Sequence, residues 1–193
     1  KKGVEVALRA KLRYPSPNDT DYRGSSAGVY SFVAGARPGT LTTPLWSFDW
    51  SVNTDYDLNS GAVLSDFVYE LGMDSDPGKK TNYTVFDNIS PSLVAPAWDH
   101  ALGDNMTWNG NGTSYPDSTY LTQLGSHNIA QNSWNYEFFN NLGTSLEFFD
   151  PNEPGEYTIY LKVLDPKGKG KKGKGKKGKV VAESKIVVLV TAP

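Results

Sequence analysis

Apolar side chains recur at every second position in five segments of this chain, and this pattern constrains the fold more than any other feature. In the first segment, Val4 to Leu12, the intervening residues include Glu5, Arg9 and Lys11. The other four segments are 46–52, 67–73, 157–163 and 186–190. Successive side chains of a β-strand point to opposite faces of its sheet, so the alternation predicts strands with one buried and one exposed face.

Weaker strands are predicted at 29–33, 83–86 and 146–149, and runs rich in Pro, Gly, Asp and Asn separate the strands as turns. The polar stretch 99–115 is expected to be a long loop. A short helix is predicted from Asp117, its expected N-cap, to Gly125, as a decoration on the surface. Because no strand–helix–strand rhythm is present, we predict an all-β fold, an antiparallel, jelly-roll-like β-sandwich with one short decorating helix, formed by a single domain of residues 1–193.

The composition excludes several classes of function. The chain has no Cys and two His, which excludes disulfide scaffolds, Cys-ligated metals and thiol nucleophiles. No stretch reaches the roughly 18 apolar residues of a membrane span, and the absence of an initiator Met leads us to expect a processed or trimmed chain. Asp99 and His100 could supply an oriented base, but no nucleophile motif accompanies them. We therefore predict that the protein is not an enzyme.

The charges are segregated along the chain. The window 167–179 consists of eight Lys and five Gly, while the remainder holds 11 basic and 21 acidic residues. Glycine and mutual repulsion predict a flexible loop between the last two strands, which could bind a polyanion such as an acidic polysaccharide. Nucleic acid is not expected, because the window offers no aromatic side chain for stacking; the alternative is a solvated connection without a ligand. The candidate polyanion-binding residues are Lys167, Lys169, Lys171, Lys172, Lys174, Lys176, Lys177 and Lys179.

A calcium ion is the one cofactor that the sequence suggests. Asp55, Asp57 and Asn59 place oxygen ligands at every second residue, as a calcium-binding loop does. The spacing does not fit an EF-hand, and the alternative is an ordinary turn closed by Asp and Asn side chains.

Aromatic residues outside the main strands suggest carbohydrate binding, because β-sandwich modules stack sugars on exposed rings. The candidates are Trp98, Trp108 and Tyr115, and Tyr120 and Trp134 also fall in loops or near the helix. The alternative is that the tryptophans, Trp134 included, fill the core between the sheets, and it is stronger for Trp46 and Trp50 than for Trp108.

Four segments resemble bacterial exported proteins that carry a PEP-CTERM (exosortase) sorting tail. They are 131–139 (QNSWNYEFF), 149–160 (FDPNEPGEYTIY), 46–55 (WSFDWSVNTD) and 71–78 (LGMDSDPG). The sorting tail itself is absent, and the Lys/Gly window departs from the short turn expected at its position. The resemblance implies export, an extracellular or cell-surface location, and no catalytic residues.

Two functions are expected from these observations. The first is a non-enzymatic structural or adhesive protein of the cell surface, extracellular matrix or a filament, whose partners are further copies of itself or other matrix components. The second is a carbohydrate-binding module that uses the loop aromatics.

Overall fold

The computed structural model describes residues 3–15, 28–90, 99–108, 111–140, 143–167 and 178–193. These residues form nine strands, one α-helix and three short 3₁₀ helices. The strands are β1 (Glu5–Leu12), β2 (Val29–Val33), β3 (Trp46–Asn53), β4 (Val68–Asp74), β5 (Tyr83–Phe86), β6 (Ala101–Gly103), β7 (Ile129–Trp134), β8 (Gly155–Asp165) and β9 (Lys179–Thr191). The α-helix is α1 (Asp117–Gln123), and the 3₁₀ helices are Leu64–Asp66, Tyr136–Phe139 and Ser145–Phe148.

The strands form two sheets that pack face to face, which confirms the predicted all-β sandwich. The four-stranded sheet has the order β1-β3-β7-β6, and the five-stranded sheet has the order β2-β9-β8-β4-β5. Neighbouring strands are antiparallel with one exception, the parallel pair of β2 and β9. This parallel pair makes the larger sheet mixed. It joins two strands that are far apart in the sequence, and β2 forms the edge of the sheet.

The alternation of the sequence produces the core. Trp46, Phe48 and Trp50 of β3 face inwards and are buried, together with Leu8 and Ala10 of β1. Their partners from the other sheet include the inward residues of β8, which are Tyr157, Ile159, Leu161 and Val163.

The tryptophans of the strands fill the core, as the alternative interpretation expected. The rings of Trp50 and Trp134 lie edge to face with centroids 5.3 Å apart, and Trp46 meets Tyr136 at 5.2 Å in the same manner. The suggestion that Trp134 binds sugar from a loop is wrong, because this residue ends β7 and its side chain is buried.

Three local predictions differ from the structure. The predicted strand 146–149 is instead covered by the 3₁₀ helix Ser145–Phe148 and its C-cap Phe149, and Thr144 caps the turn by accepting a hydrogen bond from the Leu146 amide. The predicted loop 99–115 contains β6. The periodicity also fails to predict β7, because the polar Asn132 interrupts the inward row of Ala130 and Trp134.

The helix α1 is part of the core rather than a decoration. Tyr120 is fully buried and donates a hydrogen bond to the carbonyl of Ile89 at 2.8 Å, and Leu124 is buried beside it. Asp117 is the first helical residue, and Pro116 occupies the N-cap position that the sequence assigned to Asp117. Within the described ranges, no helix is long and apolar enough to cross a membrane.

Candidate functional site

The outward face of the four-stranded sheet forms a polar groove. One row across the sheet consists of Ala7, Ser51, Gln131 and Ala101, which are paired from β1 to β6. The short side chains of Ala7, Ser51 and Ala101 leave an open depression of about 520 Å³, which is lined also by Arg9, Asp49 and Ser133. A second depression of about 260 Å³ shares Ser51, Ala101 and Gln131 with the first. The two are therefore parts of one continuous surface, which we call the sheet groove.

Two exposed aromatic side chains stand at one end of the sheet groove. Trp108 is 82% exposed and Tyr56 is 61% exposed, and both line the smaller depression. Glu5 and Asn53 lie at the same end, four and two residues along their strands from Arg9 and Ser51. Large aromatic side chains left open to solvent at the rim of a groove are typical of ligand contact.

The loop that carries Trp108 is fixed by hydrogen bonds on both sides. Leu102 and Thr113 exchange two backbone hydrogen bonds of 2.9 and 2.8 Å, which close the loop at its base. Within the loop, the Asp104 carboxylate accepts from the Met106 amide at 2.8 Å and from the Thr107 hydroxyl at 3.1 Å. These bonds, with that from the Met106 amide contributing most, hold the pKa of Asp104 below its usual value.

The turn that carries Tyr56 is closed by Asp55. One carboxylate oxygen accepts from the amide and hydroxyl of Ser60 at 2.9 and 2.7 Å, and the other accepts from the Gly61 amide at 3.1 Å. The bonds from Ser60 are the main reason that the pKa of Asp55 lies below its usual value. The Tyr56 amide in turn donates to the carbonyl of Gly3 at 2.6 Å.

These contacts bear on the predicted calcium ligands. The Asp55 carboxylate serves the turn itself, while Asp57 and Asn59 are exposed and joined by a 3.4 Å bond from the Asn59 amide to the Asp57 carboxylate. In the described part of the chain, no group of three or more His, Asp or Glu side chains is placed to hold a metal ion. The Asp55 bonds close the turn from within, and calcium binding by Asp55, Asp57 and Asn59 stays a prediction.

Asn105 joins the two aromatic loops. Its amide nitrogen donates to the carbonyl of Asp55 at 2.8 Å, and its amide oxygen accepts from the Asn53 side chain at 2.6 Å. Asn53 also accepts from the Asn128 side chain at 2.9 Å. The positions of Trp108 and Tyr56 are thus coupled through one side chain that is anchored to the end of β3.

The opposite end of the sheet groove contains an ion cluster. Asp49 lies 2.7 Å from the Arg9 Nε and 2.8 Å from the Lys11 Nζ. Burial acts to raise the pKa of Asp49, but hydrogen bonds from the neighbouring side chains, Lys11 and Arg9 among them, outweigh it and leave the pKa below its usual value. Asp49 is therefore ionised at neutral pH, with two cations beside it.

Tyr115, another aromatic candidate, does not line the sheet groove. Tyr115 is half-buried against the core, and its hydroxyl donates to His127 Nε2 at 3.3 Å. This assignment follows because His127 Nδ1 lies 2.9 Å from the Gln123 carbonyl, to which it must donate. Trp98 lies outside the described residues.

The Lys/Gly window connects β8 and β9, whose ends Asp165 and Lys179 are paired. Lys167 and Lys179 are exposed. The other predicted lysines, Lys169, Lys171, Lys172, Lys174, Lys176 and Lys177, lie outside the described residues.

His100 is buried and engaged in packing. Its Nε2 donates to the carbonyl of Asn88 at 2.5 Å, and its Nδ1 accepts from the Asn132 amide at 3.0 Å. Asp99 lies 3.4 Å from the same Nδ1, and its carboxylate accepts from the Asn132 side-chain amide at 2.9 Å. Nε2 therefore ties His100 to the segment that follows β5, and Nδ1 ties it to β7.

The sequence does not assign Arg9, Asp49, Tyr56 or Gln131 to a site. Arg9 and Asp49 belong to the polar halves of alternating strands, Gln131 to a strand that the periodicity does not predict, and Tyr56 to a turn. None of these patterns indicates which strands are neighbours. Comparison of the chain with protein-family models, with curated proteins and with solved structures finds no match in any of the three.

Proposed function

We propose that this protein is a non-catalytic, exported adhesive module of the cell surface or extracellular matrix, which binds polysaccharide along the sheet groove. The observation that carries the proposal is the continuous groove, with Trp108 and Tyr56 exposed at one end on loops that are pinned by Asp104, Asp55 and Asn105. Export and location rest on the resemblance of the sequence to sorting-tail proteins.

The chemistry of the groove suits a sugar chain. A sugar ring has an apolar C–H face, which can stack on Trp108 or Tyr56, and a polar rim, which needs hydrogen-bonding partners. Ser51, Gln131 and Asn53 supply such partners on the floor and the end of the groove. Because the aromatic loops are already fixed, little conformational entropy is lost when a ligand binds.

A binding assay with one substitution tests this function. The assay is electrophoresis in gels that contain a polysaccharide, where binding slows migration of the protein. We expect the Trp108→Ala variant to lose this retardation in gels that retard the wild type. Phe148→Ala is the matched control, because Phe148 is 79% exposed but lies in the 3₁₀ helix beside β5 of the other sheet. A protein that is retarded by no polysaccharide, or a Trp108→Ala variant that is retarded as strongly as the wild type, would contradict the proposal.

A second function, self-association or polyanion contact through the Lys/Gly window, is favoured by the position of its ends. Lys167 and Lys179 are exposed at the end of the longest strand pair, apart from the sheet groove. The rest of the chain carries a net charge of −10, so the window of one molecule could attract the body of another. This contact would support adhesion by linking copies within a matrix.

A further inference from the structure

We propose that the sheet groove selects glycans in which a carboxylate-bearing sugar lies among neutral sugars, and that Arg9 binds the carboxylate. This inference rests on the proposed function of the groove. It concerns the ion cluster, which lies at the opposite end from the aromatic side chains.

Two cations, Lys11 and Arg9, lie beside the single carboxylate of Asp49. Lys11 contacts Asp49 at 2.8 Å and its side chain is only 7% exposed, so it serves as the buried partner of this carboxylate. Arg9 also contacts Asp49, through Nε at 2.7 Å, but its side chain is 45% exposed. The contact uses one of the five N–H groups of the guanidinium. No described residue is found bonded to the terminal nitrogens, which are suited to bidentate binding of a second carboxylate.

The position of Arg9 sets the minimum size of the ligand. Arg9 and Glu5 are on the same face of β1, and the offset of four positions from one to the other corresponds to about 13 Å along the strand. Glu5 lines the aromatic end of the groove with Trp108 and Tyr56. A ligand that reaches both Arg9 and the aromatic rings must therefore be an oligosaccharide, with the acidic sugar apart from the stacked one.

The other charges of the groove argue against a polymer that is charged at every sugar. Glu5 lies at the aromatic end, and Asp99 lies at the β6 side with its side chain 67% exposed. These carboxylates would repel further anionic groups of the same ligand. Among the described residues that line the groove, Arg9 is the only cation, as a glycan of mixed acidic and neutral sugars requires.

The test compares four soluble probes: gellan, in which glucuronate alternates with neutral sugars; the same gellan after chemical reduction of its carboxyl groups; neutral dextran; and polygalacturonate, which is acidic at every sugar. We expect gellan to bind more tightly than its reduced form. We also expect Arg9→Gln to weaken gellan binding by at least about tenfold, as loss of a charge-assisted hydrogen-bond pair predicts, and to leave binding of reduced gellan unchanged. Arg9→Lys should restore only part of the affinity.

Three controls distinguish a direct role of Arg9 in binding from effects of net charge, of the window lysines and of unfolding. Lys80→Gln removes the same charge from an exposed position between β4 and β5, so it reports the effect of net charge alone. Replacement of the eight window lysines by Ser removes the other cationic candidate, and the Arg9→Gln effect should persist in that background. Thermal unfolding checks that Arg9→Gln remains folded, which we expect because Asp49 keeps its contact with Lys11.

The outcomes distinguish this inference from the proposed function. Equal binding of gellan and reduced gellan, preference for dextran or polygalacturonate, or an Arg9→Gln variant that behaves like Lys80→Gln would overturn the inference. If Trp108→Ala still abolished binding in those cases, the glycan-binding function would stand. Failure of all four probes to bind would overturn the selectivity for a mixed glycan, while the broader polysaccharide screen with Trp108→Ala decides the proposed function.

Discussion

The ring of Tyr160 in β8 lies directly on the backbone of Gly72, its partner in the neighbouring strand β4. The Tyr160 hydroxyl donates to the Glu70 carboxylate at 2.9 Å, and the Lys162 ammonium lies 4.1 Å from the centre of the ring. An aromatic ring that covers a cross-strand glycine shields the backbone hydrogen bonds of the sheet. The absence of a side chain at Gly72 is what allows this contact.

We expect Gly72→Ala to destabilise the protein by about 1–3 kcal/mol, because the new Cβ would overlap the Tyr160 ring. Urea unfolding measures the change. In a Tyr160→Ser background the overlap is gone, so the same substitution should have little effect. An equal cost in both backgrounds would show that the ring is not the cause.

Asn105→Ala should weaken glycan binding more than it weakens the fold. The substitution removes the bonds to the Asp55 carbonyl and from the Asn53 side chain, which couple the aromatic loops. We expect a loss of about 1–2 kcal/mol in the free energy of unfolding and a larger proportional loss of affinity in the gel assay. Asn111→Ala, at an exposed position beyond Trp108, is the control. If the two variants bind equally well, the coupling does not matter for binding.

The stability that Asp55 and Asp104 give to the aromatic loops should decrease at low pH. The pKa values of Asp55 and Asp104 lie below their usual value of 3.8 in the folded state. Their contribution is therefore complete above about pH 3.8 and is lost as the pH falls further through the lowered values. Asp55→Asn should lower stability at pH 7 and flatten the acid limb of the stability curve. Urea unfolding between pH 2 and pH 7 tests this, and an unchanged acid limb would contradict it.

Replacement of the eight window lysines by Ser should abolish any salt-sensitive assembly. If the window attracts the acidic body of a neighbouring molecule, the association should weaken as ionic strength rises past about 0.15 M, where the screening length is about 8 Å. Sedimentation velocity gives the size distribution of both proteins. The same distribution for the variant and the wild type would rule out this role of the window.

The alternation of the sequence was sufficient to predict most of the strands, because the inward residues of β1, β3, β4, β8 and β9 are consistently apolar. It failed at β7, where Asn132 faces inwards and is accommodated by His100, a contact that only the tertiary structure creates. Trp108 could be singled out from its polar surroundings. Its neighbours in the groove could not, because the pairing of β1 with β3 and of β3 with β7 joins residues far apart in the sequence.

The parallel pair of β2 and β9 has a consequence for the way the chain reaches its native state. Val29 is aligned with Val187, so the edge of the larger sheet cannot form until nearly the whole chain has emerged. The chain must lose the conformational entropy of closing this long loop before the contacts between β2 and β9 can stabilise it. We therefore expect folding of this topology to take milliseconds to seconds. A nascent chain would thus remain without its complete larger sheet until synthesis is nearly finished.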